Sequence, residues 1–157
     1  MAGETSKPKI IVQWSKLQAW EDRLNHTNKT DVGVYCAVGK DNYDNQRIYI
    51  GKATGTDTFS SRMSKHSSDG KEKKDEFLQK ITQNRQIMYG TISSSDIDLS
   101  DKNVLNSYIE DLEVFLIRKF DKDSSKYQLA NDIKYEDYKY KNGGFIINYK
   151  DPNKIFN

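Results

Sequence analysis

The sequence predicts a mixed α/β (α+β) domain, and three observations carry that expectation. Two apolar-alternating runs, Val32–Val38 and Arg47–Lys52, flank a polar, turn-rich stretch, the pattern of a β-hairpin with a longer loop. A third strand pattern lies at Gln86–Ile92. The strongest helical period runs from Asn106 to Phe120, with Ile109, Leu112, Leu116, Ile117 and Phe120 on one stripe. At 157 residues the chain is long enough for one domain with a real core.

Composition narrows the setting. Charged residues are 31% and hydrophobic residues 35%, so the core is modest and the surface heavily solvated. A net charge of +2 is not that of a polycation, so any nucleic-acid surface has to be local. No apolar run approaches the roughly 18 residues a membrane span needs, and no signal-peptide apolar region is seen. The expectation is a cytoplasmic or otherwise intracellular protein with no membrane partner. The single cysteine, Cys36, excludes a disulfide framework and a cysteine-based metal site, and its strand position reads as a core thiol.

Taken in order, residues 1–9 carry no pattern. Ile10–Val12 follows, and then Trp14, Leu17, Glu21 and Leu24 fall at helical spacing, which predicts a short helix within an N-terminal extension, 1–30. That extension either packs on the sheet or serves specificity or dimerisation. In the hairpin, side chains alternate between faces. Val32, Val34, Cys36 and Val38 share one face with Ile48 and Ile50, a greasy core side. Gly33, Tyr35 and Ala37 share the other with Tyr49 and Gly51. Two phenols over a floor of glycine and alanine read either as half-buried strand tyrosines or as a cleft.

After the hairpin, Thr54–Asp57 breaks the strand and offers N-cap donors. Phe59, Arg62, Met63 and His66 then share one helical face. Arg62 is either a snorkelling edge residue or an anion clamp, since guanidinium fits phosphate oxygens in a bidentate fork. His66 is either a boundary histidine or part of the same site. Residues 67–75 read as a solvated, lysine-containing loop, Phe77, Leu78 and Ile81 as a short helix, and 93–103 as a polar loop with caps for the next helix. On that helix Glu113 lies on the apolar stripe, whereas Glu110 and Asp111 read as solvent-facing. A carboxylate on a buried face is costly unless paired, metal-bound or hydrogen-bonded. Glu113 is therefore either a structural partner of Arg62 or a metal ligand at a cleft, and the second reading is preferred. Leu129–Asn131 follows a polar loop. Residues 132–157 carry Tyr135, Tyr138 and Tyr140, a turn at Asn142–Gly144 and a run at Phe145–Tyr149, which together read as a C-terminal hairpin with its tyrosines packed on the sheet.

Gly33-Val34-Tyr35 and Tyr49-Ile50-Gly51 resemble the paired signature of the GIY-YIG nuclease family, with valine for isoleucine in the first triplet. The order hairpin, arginine helix, third strand, glutamate helix and asparagine extends the resemblance over about residues 31–131. Tyr35, Tyr49, Gly51, Arg62, Glu113 and Asn131 fall on the motif positions. Lys52 follows the second triplet as a basic residue often does in the family, and His66 matches the histidine of many members, including the restriction-enzyme branch. The usual proline-containing approach to the asparagine is absent here.

The resemblance implies a small three-stranded antiparallel sheet flanked by helices, with N- and C-terminal extensions. It implies a divalent-metal-dependent endonuclease, with Mg²⁺ or Mn²⁺ as cofactor, cutting double-stranded DNA to leave 5′-phosphate and 3′-hydroxyl ends. Glu113 would hold the metal, Arg62 would clamp the phosphate, and Tyr35 or His66 would take the proton of the attacking water. Cations such as Lys52, Arg62 or Mg²⁺ would lower the pKa of Tyr35, Tyr49 would orient water or substrate, and Asn131 would position the glutamate helix or a phosphate. A compact, site-specific enzyme of restriction, phage or mobile-element type is the leading expectation, and cutting both strands favours a homodimer. The competing reading is a non-catalytic nucleic-acid-binding or protein-interaction module on the same scaffold.

Overall fold

The computed structural model describes residues 7–24, 31–65, 79–122, 126–131 and 137–156. The chain forms strands β1 (Lys9–Trp14) and β2 (Gln18–Ala19), a 3-10 turn at Trp20–Asp22, strands β3 (Gly33–Lys40) and β4 (Gln46–Ala53), and helix α1 (Phe59–Lys65). Strand β5 (Gln83–Ser93), helix α2 (Lys102–Lys122), and strands β6 (Gln128–Leu129) and β7 (Ile146–Lys150) complete it. The mixed α+β class is as expected.

The hairpin forms in the expected register. β3 and β4 are antiparallel, with Tyr35 opposite Gly51 and Ala37 opposite Tyr49. Its turn is fixed by the Asp41 carboxylate, which accepts the backbone N–H groups of Tyr43 and Asn45 at 2.9 Å each. β5 pairs with the other edge of β3. The two faces separate as the alternation demands. Val34, Cys36, Val38, Ile48 and Ile50 join Ile109, Leu112, Leu116, Ile117 and Phe120 of α2 in one core. Tyr35, Ala37 and Ala53 join Phe59 and Met63 of α1, with Trp20, Ile87 and Tyr89, in a second. α2 begins at Asp101, whose carboxylate accepts the N–H groups of Asn103 and Val104, an N-cap that satisfies two of the helix's orphan donors.

The sheet departs from a small three-stranded one. β3, β4 and β5 lie within a seven-stranded sheet among the described residues, in the order β6-β4-β3-β5-β1-β7, with β2 also on β5. β1 is antiparallel to β5, while β7 runs parallel to β1 and β6 parallel to β4.

Three further corrections follow. The segment 14–24 is not a helix. Ser15 donates its N–H to the Tyr89 carbonyl and accepts the Tyr89 N–H on its hydroxyl, which draws the chain along β5 instead. The C-terminal run forms its strand, but its partner is β1 in parallel, 132 or more residues away in sequence, rather than the tyrosine segment. Asp111 is not solvent-facing: it is fully buried, and its carboxylate accepts bonds from Tyr138 Oη, the Lys141 and Asn142 backbone N–H groups and Asn142 Nδ2. Tyr138 and Tyr140 accordingly lie against α2, with Tyr138 bonded to Asp111 and Tyr140 under the Arg118 guanidinium. No helix of the described residues is long and apolar enough to cross a membrane.

Candidate active site

The site begins with a glycine. A β-carbon at Gly51 would stand 2.1 Å from Cζ and 2.4 Å from Oη of Tyr35, so the tyrosine ring lies over the space a side chain would fill. Gly33 has the matching role at the start of β3. Its φ is +155°, and a β-carbon there would sit 2.1 Å from the Gly90 carbonyl oxygen, which allows β3 to approach β5 closely.

Around the Tyr35 phenol three other elements converge. Tyr49, from β4, has its ring centroid 6.2 Å from that of Tyr35, and the two hydroxyls are hydrogen-bonded. Arg62, from α1, donates to the Tyr35 oxygen and pairs with Asp57 at 3.4 Å. Glu113, from α2, is near enough for its charge to act on both phenols. It is buried and lies 3.9 Å from Nζ of Lys52.

The two tyrosines are not equivalent. Tyr35 has no accessible surface, whereas Tyr49 is half-buried. Burial raises the Tyr35 phenol above its ordinary value, against the opposing pull of the Arg62 guanidinium. Burial, reinforced by Tyr35 and Glu113, raises Tyr49 as well. Lys52 forms ion pairs with Glu113 and with Glu110. Arg62 keeps one buried donor, Nε, without a hydrogen-bond partner among the described residues. Such a donor is costly until an acceptor reaches it.

Thus Tyr35, Tyr49 and Arg62 meet, while Lys52 and Glu113 pair with each other and the Glu113 charge reaches the two phenols. Asn131 is placed differently. Its side chain acts as an extra ladder residue, accepting the Ile50 N–H at 3.0 Å and donating to the Ile50 carbonyl at 2.7 Å. It grips the strand between Tyr49 and Gly51 and is a positioning residue. His66 lies outside the described residues, as do residues 67–75 and the first two residues of the expected helix at 77–81, of which Gln79 and Lys80 are helical.

Glu110 is the residue the sequence reading passed over. It lies one turn before Glu113, shares Lys52 at 3.8 Å, and pairs with Lys141. The i, i+3 spacing of the two glutamates was the available signal. Among the described residues no three His, Cys, Asp or Glu side chains converge into a closed metal cage. Mg²⁺ does not require one. It is held through one or two carboxylates together with phosphate oxygens and waters, and Glu113 with Glu110 is a donor set of that kind. No protein-family model, curated protein or solved structure matches the chain.

Proposed function

We propose that the protein is a divalent-metal-dependent endonuclease of the GIY-YIG type that hydrolyses phosphodiester bonds in double-stranded DNA. One observation carries the reading above the rest. Two phenols and a guanidinium from three elements meet, and the charge of a buried carboxylate from a fourth, held by a lysine, reaches both phenols. Structural ion pairs need no tyrosine couple, and the glycine floor that admits Tyr35 is a specific requirement of that couple.

Glu113 would hold the divalent ion, Mg²⁺ or Mn²⁺, with Glu110 as a second carboxylate. Such an ion supplies charge stabilisation at a scissile phosphate. Arg62 offers its guanidinium to the non-bridging oxygens, where negative charge grows as the attacking oxygen adds. Burial keeps both phenols protonated. Tyr49 is the phenol at the accessible side of the pair, so its hydroxyl orients the attacking water, whose proton leaves to solvent or to a non-bridging phosphate oxygen, and Tyr35 holds Tyr49 through the hydrogen bond between them. Asn131 keeps β4 in place so that Tyr49 and Gly51 stay on the Tyr35 ring.

Phenylalanine at either position breaks the hydrogen-bonded pair and leaves the packing nearly intact. Tyr35→Phe and Tyr49→Phe are each expected to lower single-turnover cleavage by about 10²–10⁴-fold while binding a DNA duplex as the parent does. Parent rates in Tyr35→Phe would remove the tyrosine pair from the mechanism.

A further inference from the structure

Asn142-Gly143 is the chain's only Asn-Gly step. At such a step the side-chain amide can be lost. The glycine backbone nitrogen attacks Cγ of the asparagine, ammonia leaves, and the resulting succinimide takes up water to give aspartate or isoaspartate. Glycine favours the attack because no side chain obstructs its nitrogen. Gly143 is exposed, and a β-carbon there would meet nothing within 4 Å among the described residues.

What restrains the amide is helix α2. Asn142 Nδ2 donates to Oδ2 of Asp111 at 2.9 Å and to Oγ of Ser107 at 3.3 Å. The Asn142 backbone N–H donates to the same Asp111 oxygen at 3.0 Å. Asp111 is fully buried, and a carboxylate only accepts, so the amide has to present its nitrogen to it. The Lys141 N–H and Tyr138 Oη bind the other oxygen at 2.9 Å and 3.2 Å. Asn142 thus supplies two of the four hydrogen bonds by which Asp111 latches segment 137–145 to α2.

Ring closure is incompatible with the latched arrangement. The nitrogen that must leave is the one Asp111 and Ser107 hold, and Cγ has to swing onto the chain's own next nitrogen. The reaction therefore belongs to the conformer in which the segment has opened from α2. Its product cannot restore the latch. A carboxylate at position 142 has no donor to offer, sets a second negative charge against Asp111, and leaves that buried acid one hydrogen bond short. The isoaspartate form also lengthens the backbone within the turn.

We propose that Asn142 is a deamidation site guarded by Asp111, and that its conversion unlatches segment 137–145 from α2 irreversibly. The inference is independent of the endonuclease reading.

The test has two arms, both on the full chain. In the first, the parent and Asp111→Asn are aged in mildly alkaline buffer, and peptide mapping by mass spectrometry follows amide-to-acid conversion at position 142. Asp111→Asn keeps the side-chain volume but replaces charge-assisted hydrogen bonds with neutral ones, so the segment opens more often. Deamidation about fivefold faster than in the parent is expected. In the second arm, amide exchange is measured in Asn142→Asp, which stands for the product. Exchange at Lys141 is expected to be at least about tenfold faster, with the β3–β5 ladder protected as in the parent. Adding Asp111→Asn to Asn142→Asp is expected to restore slow exchange, because an amide at position 111 can donate to the new carboxylate. An amide at 142 that is lost equally fast in both proteins, or in neither, would overturn the guarded site. Parent-like exchange at Lys141 in Asn142→Asp would overturn the latch, and fast exchange that Asp111→Asn leaves unrestored would overturn opposed carboxylates as its cause.

Discussion

A β-carbon at Gly51 would stand 2.1 Å from Cζ of Tyr35, and the two residues face each other across the β3–β4 ladder. Gly51→Ala therefore forces the ring, the strand, or both to shift. A stability loss of about 1–3 kcal/mol is expected from overpacking of this kind, seen as a lower urea midpoint at unchanged slope. A parent midpoint would mean that the ring yields freely and that the glycine is not required by Tyr35. Alternation alone places Tyr35, Tyr49 and Gly51 on one face, and this much was legible in the sequence. Their mutual contact was legible only through the family resemblance. The sequence also allowed Lys52 to act on Tyr35. The structure instead gives Lys52 to Glu110 and Glu113, because Lys52 lies in alternation with Ile48 and Ile50 on the face that α2 covers. Asn131 was legible as a site residue but not as a backbone clamp, since a side-chain amide that mimics a strand leaves no periodic trace.

Helix α2 is loaded on two sides. The stripe through Ile109, Leu112, Leu116 and Phe120 packs on the sheet, as its period predicts. A second stripe, Tyr108, Asp111, Phe115 and Arg118, meets the C-terminal segment. Phe115 lies 6.0 Å from Phe145, centroid to centroid, and Tyr108 lies 6.1 Å from the same ring. A mixed stripe of aromatic and charged residues reads as solvent-facing to any hydrophobicity argument, which is why Asp111 was missed. Burial and the Asp111 carboxylate push the Tyr138 phenol up to about 12. Asp111→Ala removes the acceptor of four hydrogen bonds and frees the segment. A loss of about 1.5–3 kcal/mol is expected, with faster amide exchange at 141 and 142. Parent-like exchange there would show that the aromatic contacts alone hold the segment. The helix expected at 14–24 failed for a related reason: hydrogen bonds to β5 outweigh a weak local period.

At the scale of the whole molecule, the outer strands come from the two stretches read as extensions. β1 and β7 pair in parallel, and Phe156 stacks on Trp14 with centroids 4.6 Å apart. Parallel pairing between distant stretches carries no turn signal, so the three central strands were legible and the seven-stranded sheet was not. The hairpin and α1 bring Tyr35, Tyr49 and Arg62 together, α2 places the charge of Glu113 within reach of both phenols, and the proposal that this site cuts DNA is open to direct test. Purified protein is incubated with supercoiled plasmid and phage DNA in Mg²⁺, beside EDTA and Glu113→Ala controls. The expected result is nicked, linear or discretely fragmented DNA in Mg²⁺ alone, with discrete fragments marking a site-specific enzyme. Intact DNA with Mg²⁺ and with Mn²⁺, under conditions where the protein binds the duplex, would contradict the endonuclease reading and leave a binding module on this scaffold.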